Sequence, residues 1–173
     1  MKIKTLLVAA AFALAGVSAA AAADPVALPG VEIGVVDLPN YVGVNVGQRT
    51  GDDRHTSVGV VAGRQLTKNI TVEGQYEHGF ARKGKDSMRD RVSGNVLVGQ
   101  RIGAVTPYLL GGVGYEWRDG DQADRAVYAV GGGAKLHVTE RVDLDGRYRY
   151  IDGFDSGKRG AEHVFTVGAN FKF

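Results

Sequence analysis

The sequence predicts an all-β protein, a closed eight-stranded antiparallel up-and-down transmembrane β-barrel. The first observation is a period of two in hydrophobicity, which recurs in eight stretches after residue 39 and is typical of strands with one apolar face. The second is that short and long connections alternate along the chain. The third is the last stretch, VFTVGANFKF (164–173), which keeps the alternation up to Phe173.

The first 23 residues predict an export signal that lies outside the fold. A basic start, MKIK, is followed by an apolar run rich in Leu, Val, Ala and Phe, and small residues precede Asp24. This is the layout of a secretory signal peptide, and the apolar run is too short for a typical membrane-spanning helix. We expect cleavage after Ala23, an N-terminal periplasmic segment over 24–39, and the barrel over 40–173.

Composition excludes several classes of function. All 19 acidic residues lie after position 23, and leaving out Lys2 and Lys4 from the 21 basic residues gives an equal number of positive charges. The basic pI of the full chain therefore does not indicate nucleic-acid binding. The sequence contains no cysteine, which excludes disulfides and thiol chemistry, and no helical periodicity follows the signal.

The alternating stretches give the elements in chain order. The predicted strands are 41–49, 56–66, 70–80, 92–102, 108–117, 126–138, 142–151 and 162–173. Most have nine to thirteen residues, and a tilted strand needs about 9–11 to cross a bilayer. The tight connections are 67–69, 103–107 and 139–141, and the longer ones, rich in charge and glycine, are 50–55, 81–91, 118–125 and 152–161. An even number of strands places both ends of the barrel on the short-turn side, which would be periplasmic.

Aromatic residues near the strand ends favour an apolar face that points outward to lipid. Two groups are predicted, one near the long loops and one near the short turns: Phe80, Tyr115, Trp117, Tyr150 and Phe154, and Tyr108, Phe171 and Phe173. Two such rings are expected at the two interfaces of a transmembrane barrel. Alternation alone leaves open a soluble, lipocalin-like barrel with its apolar face inside.

The opposite face of the strands predicts a charged lumen with six acidic and six basic side chains. A turn centred on Glu140 would place Lys135 opposite Asp145 and His137 opposite Asp143. Strands three and seven are opposite each other in a closed eight-stranded barrel, so Glu73 and Glu77 would reach Arg147 and Arg149. The expected lumen charge network is Glu73, Glu77, Arg101, Glu116, Lys135, Asp143, Asp145, Arg147 and Arg149. It either fills the barrel as a salt-bridge core or lines a narrow path for protons, ions or water.

Three stretches resemble the small outer-membrane β-barrel family of Gram-negative bacteria, of the OmpA/OmpX and opacity-protein type. They are TPYLLGGVGYEW (106–117), VDLDGRYRYID (142–152) and the final VFTVGANFKF. The resemblance implies localisation in the Gram-negative outer membrane. It also implies that Phe171 and Phe173 are an assembly signal that the barrel-assembly machinery reads.

The expected function is structural and surface interaction: membrane integrity and contacts made by the loops. The alternative is a narrow porin-like channel for ions or very small solutes. No catalytic, cofactor-binding or metal-binding motif stands out, so we expect no enzyme activity; a weak hydrolase candidate, His55 with Ser57, lacks a placed carboxylate. The expected partners are outer-membrane lipid and lipopolysaccharide, whose phosphates suit a net basic loop, and the protein is expected to be a monomer. The predicted lipopolysaccharide contacts are Arg82, Lys83, Lys85 and Arg89.

Overall fold

A computed structural model of the chain describes residues 40–50, 55–80, 89–118, 124–154 and 161–173. The strands are β1 (Asn40–Thr50), β2 (His55–Gln65), β3 (Ile70–Gly79), β4 (Arg89–Gly99), β5 (Val105–Arg118), β6 (Arg125–His137), β7 (Val142–Gly153) and β8 (Glu162–Lys172). The predicted all-β class and the eight strands are confirmed. Within these ranges, no helix is long and apolar enough to cross a membrane. The predicted signal peptide and the segment 24–39 lie outside the described residues.

The sheet is closed because β1 pairs with both β2 and β8, and every neighbouring pair is antiparallel. In the closing ladder Tyr41 is opposite Lys172 and Val46 is opposite Val167. Beyond it, the N–H of Phe173 donates to the carbonyl of Asn40 at 2.9 Å. Among the described strands no edge is left unpaired, as a backbone in hydrocarbon requires.

The short turns lie together at one end of the barrel, and local chemistry holds them. Thr67 Oγ1 accepts a hydrogen bond from the N–H of Ile70 at 3.0 Å, and Thr139 Oγ1 accepts one from Val142 at 2.9 Å. A threonine hydroxyl that satisfies a backbone N–H two or three residues later is a common turn device. The third short turn contains Gly103 at a φ of 63°, a conformation that glycine adopts without a steric penalty.

Burial alternates along the strands, and the apolar side chains point out of the barrel. Large apolar residues on the outer face are widely exposed in the isolated chain, for example Val44 (62%), Val167 (69%) and Leu109 (73%). Charged residues on the inner face are nearly inaccessible, and Glu77 is 0% exposed. This is the apolar-out arrangement of a membrane barrel, so the prediction of a transmembrane barrel is confirmed.

The position of β4 corrects the sequence-based prediction. The strand spans Arg89–Gly99, three residues earlier at each end than the predicted 92–102. Its first residues are charged, which made them resemble a loop, but they alternate: Arg89 and Arg91 are buried inside. Asp90 points outward, where it accepts a hydrogen bond from the Tyr76 hydroxyl at 2.8 Å.

The lumen is not lined by polar residues alone. Among the described residues, seven apolar side chains on the inner face are at most 6% exposed: Val61, Leu97, Leu110, Val127, Ala129, Ile151 and Val164. They fill space between the charged groups, as expected for an eight-stranded barrel that is only wide enough for its own side chains.

Candidate functional site

The inner charges form two clusters, one at each end of the barrel. The short-turn cluster comprises Tyr41, Glu73, Tyr108, Lys135, His137, Asp143, Asp145, Arg147 and Lys172. The long-loop cluster comprises Arg49, Gln75, Glu77, Arg89, Arg91, Glu116, Arg125, Arg149 and Glu162. Both follow from alternation: each residue takes the inward position of its strand.

Glu73 is the centre of the short-turn cluster. Arg147 donates to both of its oxygens, at 2.8 Å to Oε2 and 3.3 Å to Oε1, in a bidentate pair. The Tyr41 hydroxyl donates to Glu73 Oε1, and Lys135 Nζ lies 3.4 Å from the same oxygen. Arg147 also donates to Asp145. Bidentate and charge-assisted bonds of this kind are the strong ones, and they offset the cost of burying the carboxylate.

Two tyrosines hold this cluster in position. Tyr41 lies against Gly63: a Cβ on that glycine would be 2.2 Å from the Tyr41 Cζ. Tyr108 lies against Gly133 in the same way, and its hydroxyl donates to Asp145 Oδ1 at 2.6 Å. Each ring therefore needs a glycine on a neighbouring strand, and its hydroxyl then reaches a carboxylate.

At the short-turn rim, Asp143 binds two cationic or polar partners. It accepts from Lys172 Nζ at 2.8 Å and lies 2.7 Å from His137 Nδ1. His137 Nε2 in turn lies 2.8 Å from Thr106 Oγ1.

In the long-loop cluster, arginines from β4 and β7 bind glutamates on other strands. Arg91 Nη2 donates to Glu116 Oε2 at 2.5 Å and to Glu162 Oε2 at 3.1 Å. Arg149 donates to Glu77 at 2.5 Å from Nη2 and 3.2 Å from Nη1. Each of these residues is at most 9% exposed.

Several of these ion pairs cross the lumen. β3 and β7 are opposite each other in the ring, and Glu73 and Glu77 of β3 bind Arg147 and Arg149 of β7. β4 and β8 are also opposite, and Arg89 Nη1 donates to Glu162 Oε1 at 2.6 Å. The predicted contacts of β3 with β7 and the predicted register of β6 with β7 are confirmed. The charged side chains therefore occupy the interior and do not only line it.

The structure places eight of the nine predicted network residues in the lumen. They are Glu73, Glu77, Glu116, Lys135, Asp143, Asp145, Arg147 and Arg149. The ninth prediction, Arg101, is wrong: its side chain is exposed at a short turn, where its Nε donates to the carbonyl of Gly103 at 3.0 Å. β4 ends at Gly99, so the alternation of inward and outward positions does not extend to Arg101.

The predicted lipopolysaccharide contacts divide into two groups. Arg82, Lys83 and Lys85 lie outside the described residues. The prediction for Arg89 is wrong, because the side chain is 6% exposed and binds Glu162 inside the barrel. The early start of β4 explains this: Arg89 is a strand residue with an inward position.

Sequence reasoning missed five members of the clusters, one of which is Arg89, described above. Arg91 and Arg125 were assigned to loops, although Arg91 is in phase with the inward Ser93 and Asn95. Tyr41 was not singled out, and Tyr108 was expected in the outer aromatic ring but is 6% exposed inside the barrel. The signal that could have found them is the alternation of inward and outward positions along a strand. It places a residue inside the barrel whether or not that residue is aromatic.

The outer ends of the strands carry aromatic contacts on the lipid face. Near the long loops Tyr115 and Trp117 meet edge to face at 5.1 Å between ring centroids. At the short-turn end Phe171 and Phe173 are 48% and 68% exposed on the outside. The structure thus leaves both predicted assembly-signal rings accessible on the surface of β8 and just beyond it.

The sequence profile of a family described as "Outer membrane protein beta-barrel domain" matches residues 7–173. No curated protein matches the sequence significantly.

Solved structures with this fold share little sequence with the chain. Neisserial surface protein A has 17% identity and a TM-score of 0.63, over 79% of this chain and 97% of its own. Ail, the attachment invasion locus protein of Yersinia pestis, was crystallised with the heparin analogue sucrose octasulfate; it has 15% identity and a TM-score of 0.54, over 80% of this chain and 100% of its own. The outer membrane enzyme PagL has 11% identity and a TM-score of 0.52, over 76% of this chain and 98% of its own. At these identities the likeness shows a shared fold.

Proposed function

Because the chain belongs to the family of outer membrane β-barrel proteins, we propose that it is a closed barrel with a structural and surface-interaction role. In this role the barrel supports membrane integrity, and its long loops make contacts at the cell surface. The proposal rests on the ion pairs that cross the lumen, since side chains that bind across an eight-stranded interior leave it filled.

The contents of the lumen support a closed barrel over a channel. A water-filled path favours mobile charges that face solvent, whereas the inner glutamates Glu73, Glu77 and Glu116 each form salt bridges with at least two basic side chains. The seven apolar side chains of the inner face further obstruct a polar path. The alternative function, a narrow channel for ions or very small solutes, would require these contacts to open.

Single-channel recording in planar bilayers tests the proposal. The refolded chain is expected to insert without steady conductance. Glu73→Gln combined with Glu77→Gln releases Arg147 and Arg149 from opposite-wall carboxylates, so we expect conductance to appear or to rise at least several-fold. Glu140→Gln, at an exposed short turn, is the matched control and should stay silent. Heat-modifiable gel mobility verifies that each variant is folded. Steady conductance of the unmodified chain would support the channel instead.

We propose that the protein is not an enzyme. The two serines among the described residues, Ser57 and Ser93, are 1% and 7% exposed inside the barrel. A lipid ester in the membrane would not reach a nucleophile in either position.

We propose that the barrel contacts outer-membrane lipid and lipopolysaccharide. The apolar side chains that are exposed on the outer face would contact outer-membrane lipid. We propose that lipid surrounds the barrel as a monomer. Basic residues of the second long loop, Arg82, Lys83 and Lys85, suit lipopolysaccharide phosphates. Replacing these three by Gln should weaken binding of the purified barrel to lipopolysaccharide several-fold in a co-sedimentation assay. Binding that stays unchanged would contradict the assignment.

Recognition by the barrel-assembly machinery is proposed for Phe173 together with Phe171. Both rings lie on the outer surface, where a second protein can contact them before lipid does. Phe173→Ala should lower the amount of folded protein in outer membranes several-fold in cells, while refolding of the purified variant in detergent stays nearly normal. Val138→Ala removes a side chain that is similarly exposed near the same end and is the control. Equal losses in cells and in detergent would indicate a role in stability only.

A further inference from the structure

The long-loop cluster holds more positive than negative charge. Among the described residues, five arginines share this half of the lumen with three glutamates. The arginines are Arg49, Arg89, Arg91, Arg125 and Arg149, and the glutamates are Glu77, Glu116 and Glu162. All are at most 9% exposed. Like charges in a space of low dielectric repel strongly, so such an excess favours an additional negative charge.

Arg49 is the arginine of the cluster for which no nitrogen has a hydrogen-bond partner among the described residues. It is 1% exposed, yet its Nε, Nη1 and Nη2 have no hydrogen-bond partner among the described residues. Its closest carboxylate oxygens are Glu162 Oε2 at 3.7 Å and Glu116 Oε2 at 3.8 Å, both measured from Nη1. At these distances the two contacts are ion pairs but not hydrogen bonds. A buried guanidinium with five unused N–H groups is rare, because each unmet donor costs free energy.

A second donor without a partner lies on the neighbouring strand. Thr166 of β8 is 3% exposed, and its Oγ1 has no hydrogen-bond partner among the described residues. Thr166 is opposite Gly47, which is two residues from Arg49 on the same inner face. On the inner face of the junction between β1 and β8, each strand therefore carries one buried donor, the Arg49 guanidinium on β1 and the Thr166 hydroxyl on β8.

We propose that this junction binds a small inorganic anion of the chloride class, held by Arg49 with a contribution from Thr166. Both carboxylates come closest to Nη1, so the anion takes the edge of the guanidinium formed by Nε and Nη2. A Cβ on Gly47 would be 2.7 Å from Thr166 Cγ2 and 2.9 Å from Ser57 Oγ, so the space beside Gly47 is filled and the ion lies on the Arg49 side of it.

The anion has a route from the long-loop end. The side chains of Arg125 and Glu162 are 10% and 12% exposed, while that of Arg49 is 1% exposed. The cluster thus extends from the deep Arg49 to groups that contact solvent. In a closed barrel the bound ion is a structural component of the lumen, and the site does not depend on whether the barrel conducts.

Chloride titration of the refolded full chain in detergent tests the site. In gluconate buffer of constant ionic strength, added chloride should give a saturable excess ³⁵Cl linewidth, and the midpoint of thermal unfolding should rise with chloride. Arg49→Gln should lower the affinity at least tenfold and abolish the thermal shift. Arg101→Gln removes the same charge from an exposed turn and should leave both unchanged.

A milder variant keeps the test decisive if Arg49→Gln does not fold. Thr166→Val preserves shape and removes the hydroxyl, and we expect it to weaken chloride binding several-fold while gel mobility shows a folded barrel. The proposal is overturned if the unmodified chain shows no saturable chloride effect. It is also overturned if folded Arg49→Gln, or Thr166→Val when Arg49→Gln is unfolded, binds chloride as tightly as the unmodified chain.

Discussion

At the scale of single residues, Glu73 shows how a buried carboxylate becomes part of a membrane barrel. It is 3% exposed and receives donors from Arg147, Tyr41 and Lys135, which come from three different strands. Removing one partner of a buried pair leaves the other charge uncompensated, and this is more costly than losing both. The network therefore couples the strands through one side chain.

A double-mutant cycle on Glu73 and Arg147 measures that coupling. Glu73→Gln and Arg147→Gln should each lower the free energy of unfolding by about 3–5 kcal/mol, and the double variant by clearly less than their sum. The measurement is urea unfolding of the barrel in lipid vesicles, followed by fluorescence. Arg101→Gln, exposed at a turn, should change stability by less than about 0.5 kcal/mol. Additive losses would show that the two side chains act independently.

The residue scale is also where sequence reasoning reached its limit. Strand parity placed Glu73, Glu77, Arg147 and Arg149 inside the barrel and opposite one another, because a period of two fixes the face of every strand residue. Which nitrogen reaches which oxygen depends on rotamers packed inside the lumen. Nothing in the sequence therefore distinguished Arg49, whose side chain has no hydrogen bond to a described residue, from Arg149.

At the scale of elements, the strand ends were harder to predict than the strands. The central apolar alternation of β4 was clear, but its charged start, Arg89–Arg91, resembled a loop. In a barrel whose lumen is charged, an inward arginine continues the strand pattern. The shift of three residues moved Arg89 into the lumen and Arg101 out of it, so both errors in the site have one cause.

The packing of β6 against β7 gives a prediction at this scale. A Cβ on Gly131 would lie 2.1 Å from the Tyr148 carbonyl oxygen and 3.0 Å from Arg149 Cα, so Gly131→Ala forces the two backbones apart. We expect a loss of about 1–3 kcal/mol in the free energy of unfolding. Gly146→Ala on β7 meets nothing within 4 Å and is the matched control, with an expected change of less than about 0.5 kcal/mol. Equal effects in urea unfolding would contradict this close approach.

At the scale of the whole molecule, the barrel reverses the arrangement of a soluble protein. Most charged side chains of the described strands are inside, where they form ion pairs with one another, and apolar side chains are outside, where lipid replaces the protein core. The closing ladder between β1 and β8 completes this arrangement by pairing the last free backbone groups of the described strands. The soluble, lipocalin-like alternative requires the opposite orientation of each face.

Arginine substitutions at two depths test the apolar band. Val44, 62% exposed at the middle of β1, is opposite Val60 and Ala169 on the neighbouring strands. Val44→Arg should cost about 2–4 kcal/mol in the free energy of unfolding from vesicles, because the charge enters the centre of the hydrocarbon. Val138, 55% exposed beside a short turn, lies near the interface, and Val138→Arg should cost only about 0–1 kcal/mol. In detergent without a bilayer the difference between the two should shrink. If Val44→Arg were as mild as Val138→Arg in vesicles, this face of β1 would not lie in the hydrocarbon, and the apolar-out orientation would be wrong.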